Sequence, residues 1–328
     1  MAIYTAPNGR FRVWIGRGKE RKYIGTCKTQ IEAEALEASA CTPTTAAPLQ
    51  ISRAEDEINR TAELKLRAKA DYEYLDRRVN ATHKLDFPQK RIALVFLADV
   101  HIGAAGSDVW RAFAEARKVV EIPDTWIVTI GDLADNMILG ALQSGTWGNS
   151  LSLPDQWLLV KDYLKIIYPR WLVAVGGNHE YWLKKLTGVD WTREQMLSVS
   201  PDLIYDPDDC KLELSVGGHC FPGRVRHKWR GSSQYSDTHG IEKAAKWDGD
   251  FVWGVGAHSH KSGVARQFNV GGHPGMAVLC GAYKRIDEFA RRLGFPVPNP
   301  NTAMAIIFSS DGKMTGTGDL DLLRKVMT

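Results

Sequence analysis

The chain of 328 residues is 44% hydrophobic and 24% charged, which excludes collagen-like and disordered classes and leaves room for one large domain with a small one, or for two equal ones. No run approaches the ~18 apolar residues of a membrane span, the N-terminus lacks the apolar stretch of a signal peptide, and five cysteines without framework spacing suit a reducing cytoplasm. The net charge of +4 is uneven: residues 1–28 hold seven basic side chains against Glu20 alone, leaving the rest slightly acidic, as expected of a basic module on a near-neutral body.

Residues 1–40 alternate apolar and polar side chains around Phe11, Val13 and Ile15, and again around Tyr23 and Ile24, with loop signals at Asn8-Gly9 and Gly16–Gly18. Thr29 is placed to cap a helix carrying Ile31, Ala35 and Leu36. The expectation is a small three-stranded sheet with one helix, too small to bury much core alone. Residues 41–90 read as a linker, with Thr, Ala and Pro at 42–48, followed by a long charged helix over Ile51–His83. Leu64, Ala68, Tyr72, Leu75 and Val79 recur at helical spacing there, and such a helix reaches roughly 50 Å. It is either a solvated helix lying on the main domain or a dimerising coiled coil, and the oligomeric state stays open.

From residue 91 to 328 short buried-strand runs alternate with helical stretches: Ile92–Ala98, Trp126–Ile130, Leu172–Val175, Leu212–Val216, Val225 and Phe251–Val255. This is α/β alternation. The residues after each run are chemically distinctive: Asp99-Val100-His101, then Gly131-Asp132 with Asp135 and Asn136, then Gly177-Asn178-His179-Glu180, then Arg226-His227, then His258-Ser259-His260. In such folds ligands bind where strands end. A single Asp-x-His is weak evidence, but five strand ends with metal-capable side chains imply a shared metal site. Mixed imidazole and carboxylate donors suit Mn, Fe, Ni or Zn rather than Mg or Ca. The donors outnumber the needs of one tetrahedral ion, so two divalent ions about 3.5–4 Å apart are expected, with Mn²⁺ favoured. His83, His219 and His273 lack a strand-end partner and read as structural or exposed. Trp147, Trp157, Tyr181 and Trp182 either line a substrate groove or belong to the core.

The order Asp-x-His, Gly-Asp-x-x-Asp, Gly-Asn-His-Glu, lone His, His-x-His resembles that of the calcineurin-like metallophosphoesterases over roughly residues 91–265. The resemblance implies a four-layer α/β/β/α sandwich with two mixed sheets. It implies that Asp99, His101, Asp132 and His260 hold one metal, with Asp132 bridging, and that Asn178, His227 and His258 complete the second site. His179 would face the phosphate rather than bind metal, with Asp135 orienting its ring. The implied mechanism is in-line attack on phosphorus by a hydroxide bridging two ions, with protonated His179 assisting the leaving oxygen. Two departures stand out: Ala257 occupies the family's usual glycine before His258, and His239 competes with His227 for the lone-His role. His227 follows a strand-like run, whereas capping suffices for His239.

The superfamily spans monoesters, diesters and nucleic acids, so fold alone does not choose. Serine/threonine protein phosphatases carry Arg where this chain has Asn136 and Gly176, which weakens that reading. Ala98–Gly103 resembles instead the first motif of double-strand-break repair nucleases. Asn8–Val13, Tyr23–Thr26 and the helix with Glu32, Ala33 and Ala35 resemble the DNA-binding domain of ethylene-response factors and of integrase N-termini. That resemblance implies DNA contacts from Arg10, Arg12, Trp14, Arg17, Arg21 and Lys22. A basic strand pair packed on the body is the alternative. Cys280–Arg285 through Leu293-Gly294-Phe295 resembles the tails of phage-encoded members, which implies a phage or prophage origin and a host cytoplasm. The expected function is a two-metal phosphodiesterase acting as a DNA nuclease. The alternatives are a phosphomonoesterase or small-nucleotide hydrolase, and a DNA-binding protein with a vestigial phosphoesterase domain.

Overall fold

Successive residues of the apolar run Ile92–Leu97 serve two different cores. Ala93, Val95 and Leu97 pack on one face with Ala112, Phe113, Val160 and Leu164, while Ile92, Leu94 and Phe96 pack on the other with Leu212, Leu214, Val255 and Val278. A strand buried on both faces reads as a continuous apolar run because side chains alternate with period two.

The computed structural model describes residues 2–15, 22–41, 49–136, 149–231, 233, 235–285, 294 and 301–328. In chain order the elements are β1 (Ala2–Thr5), β2 (Phe11–Ile15), β3 (Lys22–Cys27), α1 (Gln30–Cys41), α2 (Leu49–Asn80), β4 (Thr82–Phe87), β5 (Arg91–Leu97), α3 (Val109–Val120) and β6 (Thr125–Ile130). They continue as α4 (Leu153–Ile167), β7 (Trp171–Val175), α5 (Asn178–Thr187), α6 (Trp191–Val199), β8 (Ile204–Asp206), β9 (Cys210–Val216), β10 (His219–Val225) and α7 (His239–Asp248). The last are β11 (Trp253–Gly256), β12 (Val264–Val270), β13 (His273–Leu279), β14 (Met304–Ser309), β15 (Met314–Thr317) and α8 (Leu320–Met327). The chain divides into two compact units, Met1–Asp76 and Arg77–Thr328.

The first unit holds a three-stranded antiparallel sheet in the order β1-β2-β3. Its first hairpin closes where Ala6 N–H donates to Arg10 O at 2.8 Å and Gly9 takes φ +76. Thr29 does cap α1: its Oγ1 accepts from Glu32 N–H at 3.2 Å, and the Glu32 carboxylate accepts from Thr29 N–H at 3.3 Å, a reciprocal capping box. Val13 and Ala33, both fully buried, form the small core between sheet and helix.

The second unit has two six-stranded mixed sheets, β15-β14-β5-β6-β7-β8 and β12-β13-β11-β10-β9-β4. Helices α3 and α4 cover the outer face of the first sheet, and Ile241 and Ala245 of α7 pack with Ala277 of the second and with Phe251, just before β11. The expected α/β/β/α layering is therefore present. The long helix ends at Asn80, short of His83, and Thr82–Phe87 within the expected linker is a strand paired in parallel with β9. Among the described residues no helix is long and apolar enough to cross a membrane.

Candidate metal centre

Strands β5, β6 and β7 run parallel, as do β10 and β11 in the other sheet, so the residues after each group emerge at a common edge. Main-chain bonds extend this order past the strands. Asp99 N–H donates to Gly131 O at 3.2 Å, His101 N–H to Asp132 O at 2.9 Å, and Asp135 N–H to Ile102 O at 3.0 Å. Five of the seven non-glycine residues with positive φ among those described are Asp99, His101, Asp132, His258 and His260. That backbone region is disfavoured by Cβ sterics and costs of order 1–3 kcal/mol at each such residue. Short polar side chains tolerate it best, and here it turns five of them toward one another.

Three donor groups result, each with its ligand atoms within 4.8 Å of one another: Asp99, His101, Asp132 and His260; Asp132, His227 and His258; and His101, Asp135 and His179. Asp132 belongs to the first two. In the first group His101 Nε2 lies 3.0 Å from His260 Nε2. In the second, Asn178 Oδ1 lies 3.0 Å from His227 Nε2 and 2.7 Å from His258 Nδ1, and His227 Nε2 is 3.2 Å from Asp132 Oδ2. The His227 Nδ1–H donates to Ile130 O at 2.7 Å, which turns Nε2 into the cluster. Asp132 Oδ1 accepts from His179 N–H at 2.9 Å and Asp99 Oδ2 from His258 N–H at 2.8 Å. The other two oxygens, Asp132 Oδ2 and Asp99 Oδ1, are buried without a well-aligned hydrogen-bond donor, and the nearest cationic nitrogen to Asp132 Oδ2 is His227 Nε2.

The electrostatics describe a cavity that wants cations. Burial pushes the Asp99 carboxyl up to about 7, with Asp132 adding to the effect. Burial also opposes charge on His227, yet Asp132 and Asp99 outweigh it and push that imidazole up to about 10. Asp132 is likewise disfavoured by burial, but His227, His179 and His101 together hold it well below the usual carboxylate range. Burial, with His101 nearby, pushes His260 down to about 2, and burial with His227 pushes His258 down to about 4; both are therefore neutral near pH 7, the form a metal ligand needs. Two buried carboxylates, each with an oxygen that lacks a well-aligned donor, four converging imidazoles and an amide oxygen fit a pair of borderline divalent ions.

Of the expected ligands, Asp99, His101, Asp132, Asn178, His227, His258 and His260 all meet in this cluster. His239 instead starts α7, after Thr238. Ala257 is accommodated, its N–H donating to His227 O at 3.0 Å. The expected Asp135–His179 pairing differs in detail. His179 Nδ1 donates to the main-chain carbonyl of Asp135, whereas the Asp135 carboxylate accepts from His101 Nδ1 at 2.8 Å and lies 3.9 Å from His179 Nδ1. His101 stands in line with that carboxylate, so it takes the bond. Trp157 is core, not groove: it is buried and its Nε1–H donates to Asn136 Oδ1 at 3.1 Å. Trp182 lies beside His179, its ring tilted and the centroids 4.7 Å apart, Tyr181 is half exposed, and Trp147 lies outside the described residues.

Three residues were given no role in the sequence reading. The Glu180 carboxylate, fully enclosed, accepts from Asp132 N–H at 2.8 Å, Leu133 N–H at 2.9 Å and Gly177 N–H at 3.0 Å. Its place three residues after Gly177, at a helix start, is a capping signal that could have marked it. Gln156 accepts from Asn136 N–H at 2.8 Å, and Lys284 Nζ lies 3.3 Å from Asp135 Oδ1. Nothing local in the sequence marks either.

In the first unit, Tyr4 pairs with Arg12, and Trp14 pairs with Tyr23 across an irregularity at Val13/Trp14. By alternation Tyr4, Arg12, Trp14 and Tyr23 share the face opposite Val13, away from α1. The Trp14 and Tyr23 rings are 5.2 Å apart, and Arg10, exposed, lies in the turn just before β2. Lys22 pairs with Ile15 and so stands on the other face, because the extra residue on β3 shifts its register. Arg17 and Arg21 lie outside the described residues, as do Leu293 and Phe295.

No family model and no curated protein matches the sequence. Among solved structures the chain is similar to vacuolar protein sorting 29 from Cryptosporidium parvum, at 14% identity and TM-score 0.39 over 70% of this chain and 97% of that one. It is similar to the calcineurin-like phosphoesterase YfkN from Bacillus subtilis, at 12% identity and TM-score 0.33 over 70% and 90% of the two chains. A third is the nuclease MPE from Pseudomonas putida, at 13% identity and TM-score 0.32 over 68% and 87%. Identity and TM-score are low in all three, and the chemistry of the site stands on its own geometry.

Proposed function

We propose that the chain is a calcineurin-like metallophosphoesterase whose cluster holds two divalent ions, Mn²⁺ first among them, and that it hydrolyses phosphodiesters of DNA. The observation that carries this reading is the sharing of Asp132 between two donor groups, with one oxygen each of Asp99 and Asp132 buried without a well-aligned donor. Asp99, His101, Asp132 and His260 would hold one ion, and Asp132, Asn178, His227 and His258 the other. When bound, such a pair supplies a water of lowered pKa as nucleophile and neutralises phosphoryl charge.

The protein's own groups account for the rest. Asp135 O fixes the proton on His179 Nδ1, which leaves Nε2, 4.0 Å from Asp132 Oδ2, as the nitrogen facing the cluster. From there His179 can deliver a proton to the leaving oxygen, a role worth ~10²–10⁴ in rate. A diester is favoured over a monoester because Asn136 and Gly176 provide no guanidinium for a dianion. Asn136 is in any case committed to Trp157 and to His179 O, at 3.1 Å each. The Arg12, Trp14 and Tyr23 face of the first unit, with Arg10 in the turn before β2, supports a polyanionic, stackable substrate.

The test is incubation of labelled single- and double-stranded DNA with Mn²⁺, beside His179→Ala and a chelator control. Cleavage lost in both controls is the expected result. Preferential hydrolysis of p-nitrophenyl phosphate over its bis ester would turn the reading to a monoesterase. DNA binding without hydrolysis of any ester would mark the domain as vestigial.

A further inference from the structure

Lys284 sits on a segment that the rest of the fold holds from both sides. Tyr283 N–H donates to Asp99 O at 3.0 Å, Asp108 N–H to Tyr283 O at 2.8 Å and Arg285 N–H to Gly106 O at 3.0 Å, and Ser107 bridges Lys284 itself. Beneath, the buried Tyr283 hydroxyl donates to Glu115 at 2.6 Å, and Thr302 donates to the same carboxylate at 2.8 Å. This stitching fixes the Lys284 main chain against the loop that carries Asp99 and His101. The Lys284 side chain is only 19% exposed, and its ammonium lies 3.3 Å from Asp135 Oδ1. That oxygen also accepts from His101 Nδ1 at 2.8 Å.

We propose that Lys284, acting through Asp135, is a positioning residue for His101 and thereby for the first of the two metal positions; this rests on the metal-centre reading above. Lys284 Nζ and His101 Nδ1 meet the same Asp135 oxygen, so the ammonium, fixed through its own main chain, holds that oxygen where the ring N–H reaches it. With its Nδ1 proton held by Asp135, His101 presents the Nε2 lone pair toward His260 Nε2, 3.0 Å away, and Asp132 Oδ2, 3.8 Å away. Without Lys284 the Asp135 oxygen that meets His101 Nδ1 is no longer pinned from its other side, and the His101 orientation loses that anchor. The second position has a separate anchor, the His227 Nδ1–H bond to Ile130 O, so the effect is confined to the first.

The experiment is calorimetric Mn²⁺ titration of the full chain and of Lys284→Met, Lys284→Arg and Asp135→Asn, with melting of each metal-free protein. Lys284→Met and Asp135→Asn are expected to weaken one of two sites about 10–100-fold, the range for partners behind a metal ligand, while the other stays within about twofold. Lys284→Arg should restore wild-type binding. Equal loss at both sites with a lower melting temperature, or no loss at either, would overturn the inference. Absence of Mn²⁺ uptake by the wild-type chain would overturn the metal-centre reading itself, and the inference with it.

Discussion

Gly177→Ala tests the close approach of the loops that carry the shared ligand, Asp132. Gly177 has φ −108 and ψ −177, extended backbone open to any residue, so alanine meets no conformational penalty. Its Cβ, however, would stand 2.2 Å from Asp132 Oδ1, 2.5 Å from Asp132 N and 2.7 Å from Glu180 Oε2. The first contact is more than 1 Å short of ordinary van der Waals distance, and the second obstacle is main chain and cannot swing aside. Overpacking of this kind costs about 1–3 kcal/mol. At about 2–4 °C per kcal/mol for a unit of this size, melting should fall by roughly 2–12 °C. Because Asp132 serves two donor groups, a displacement near 1 Å should weaken both metal positions and lower turnover by ~10²-fold. Gly188→Ala is the control. At φ +73 with nothing near its Cβ, it should cost about 1–2 kcal/mol through backbone strain alone and leave Mn²⁺ binding intact. Gly177→Ala protein that takes up Mn²⁺ and melts like wild type would refute the close approach of the two loops.

Glu180→Gln should destabilise the metal-free protein by about 1–3 kcal/mol, since an amide NH₂ must then face a main-chain N–H that now donates to carboxylate; unchanged denaturant midpoints would argue against that network. Arg12→Ala should lower DNA affinity and reduce the salt slope by about 0.9 if it contacts one phosphate, whereas Lys22→Ala, on the opposite face, should have the smaller effect. Fluorescence anisotropy at several salt concentrations separates the two, and equal effects would contradict the register of β2 and β3.

The seven candidate ligands were legible because each follows a strand: β5, β6, β7 and β11 are buried on both faces and read as continuous apolar runs ending in polar turns, whereas β10 before His227 alternates and shows only at its end, at Val225. Strand β4, Thr-His-Lys-Leu-Asp-Phe, was hidden: it alternates at the sheet's edge and follows a charged helix without a break. Strands β8, of three residues, and β12, half exposed, carry too little apolar pattern to register. Strand β14 has the texture of β5 but no ligand after it. The Asp135 carboxylate could be matched to His101 rather than His179 only in three dimensions, since loops separated by 34 and 44 residues compete for it. The left-handed backbone at Asp99 and His101 was equally out of reach, because sequence shows which residues tolerate that conformation but not which are forced into it.

The placement of β14 has a consequence for how the chain is made. Strand β5, which delivers Asp99 and His101, lies between β6 and β14, and Met304 of β14 pairs with Phe96. During synthesis β5 and β6 leave the ribosome early, yet the second edge of β5 stays open until residues beyond 304 emerge. An open apolar edge is a template for wrong pairing, and pairings so distant in sequence form slowly. The strand that begins the site is thus among the last to be sealed, and any protection it needs before then must come from outside the fold.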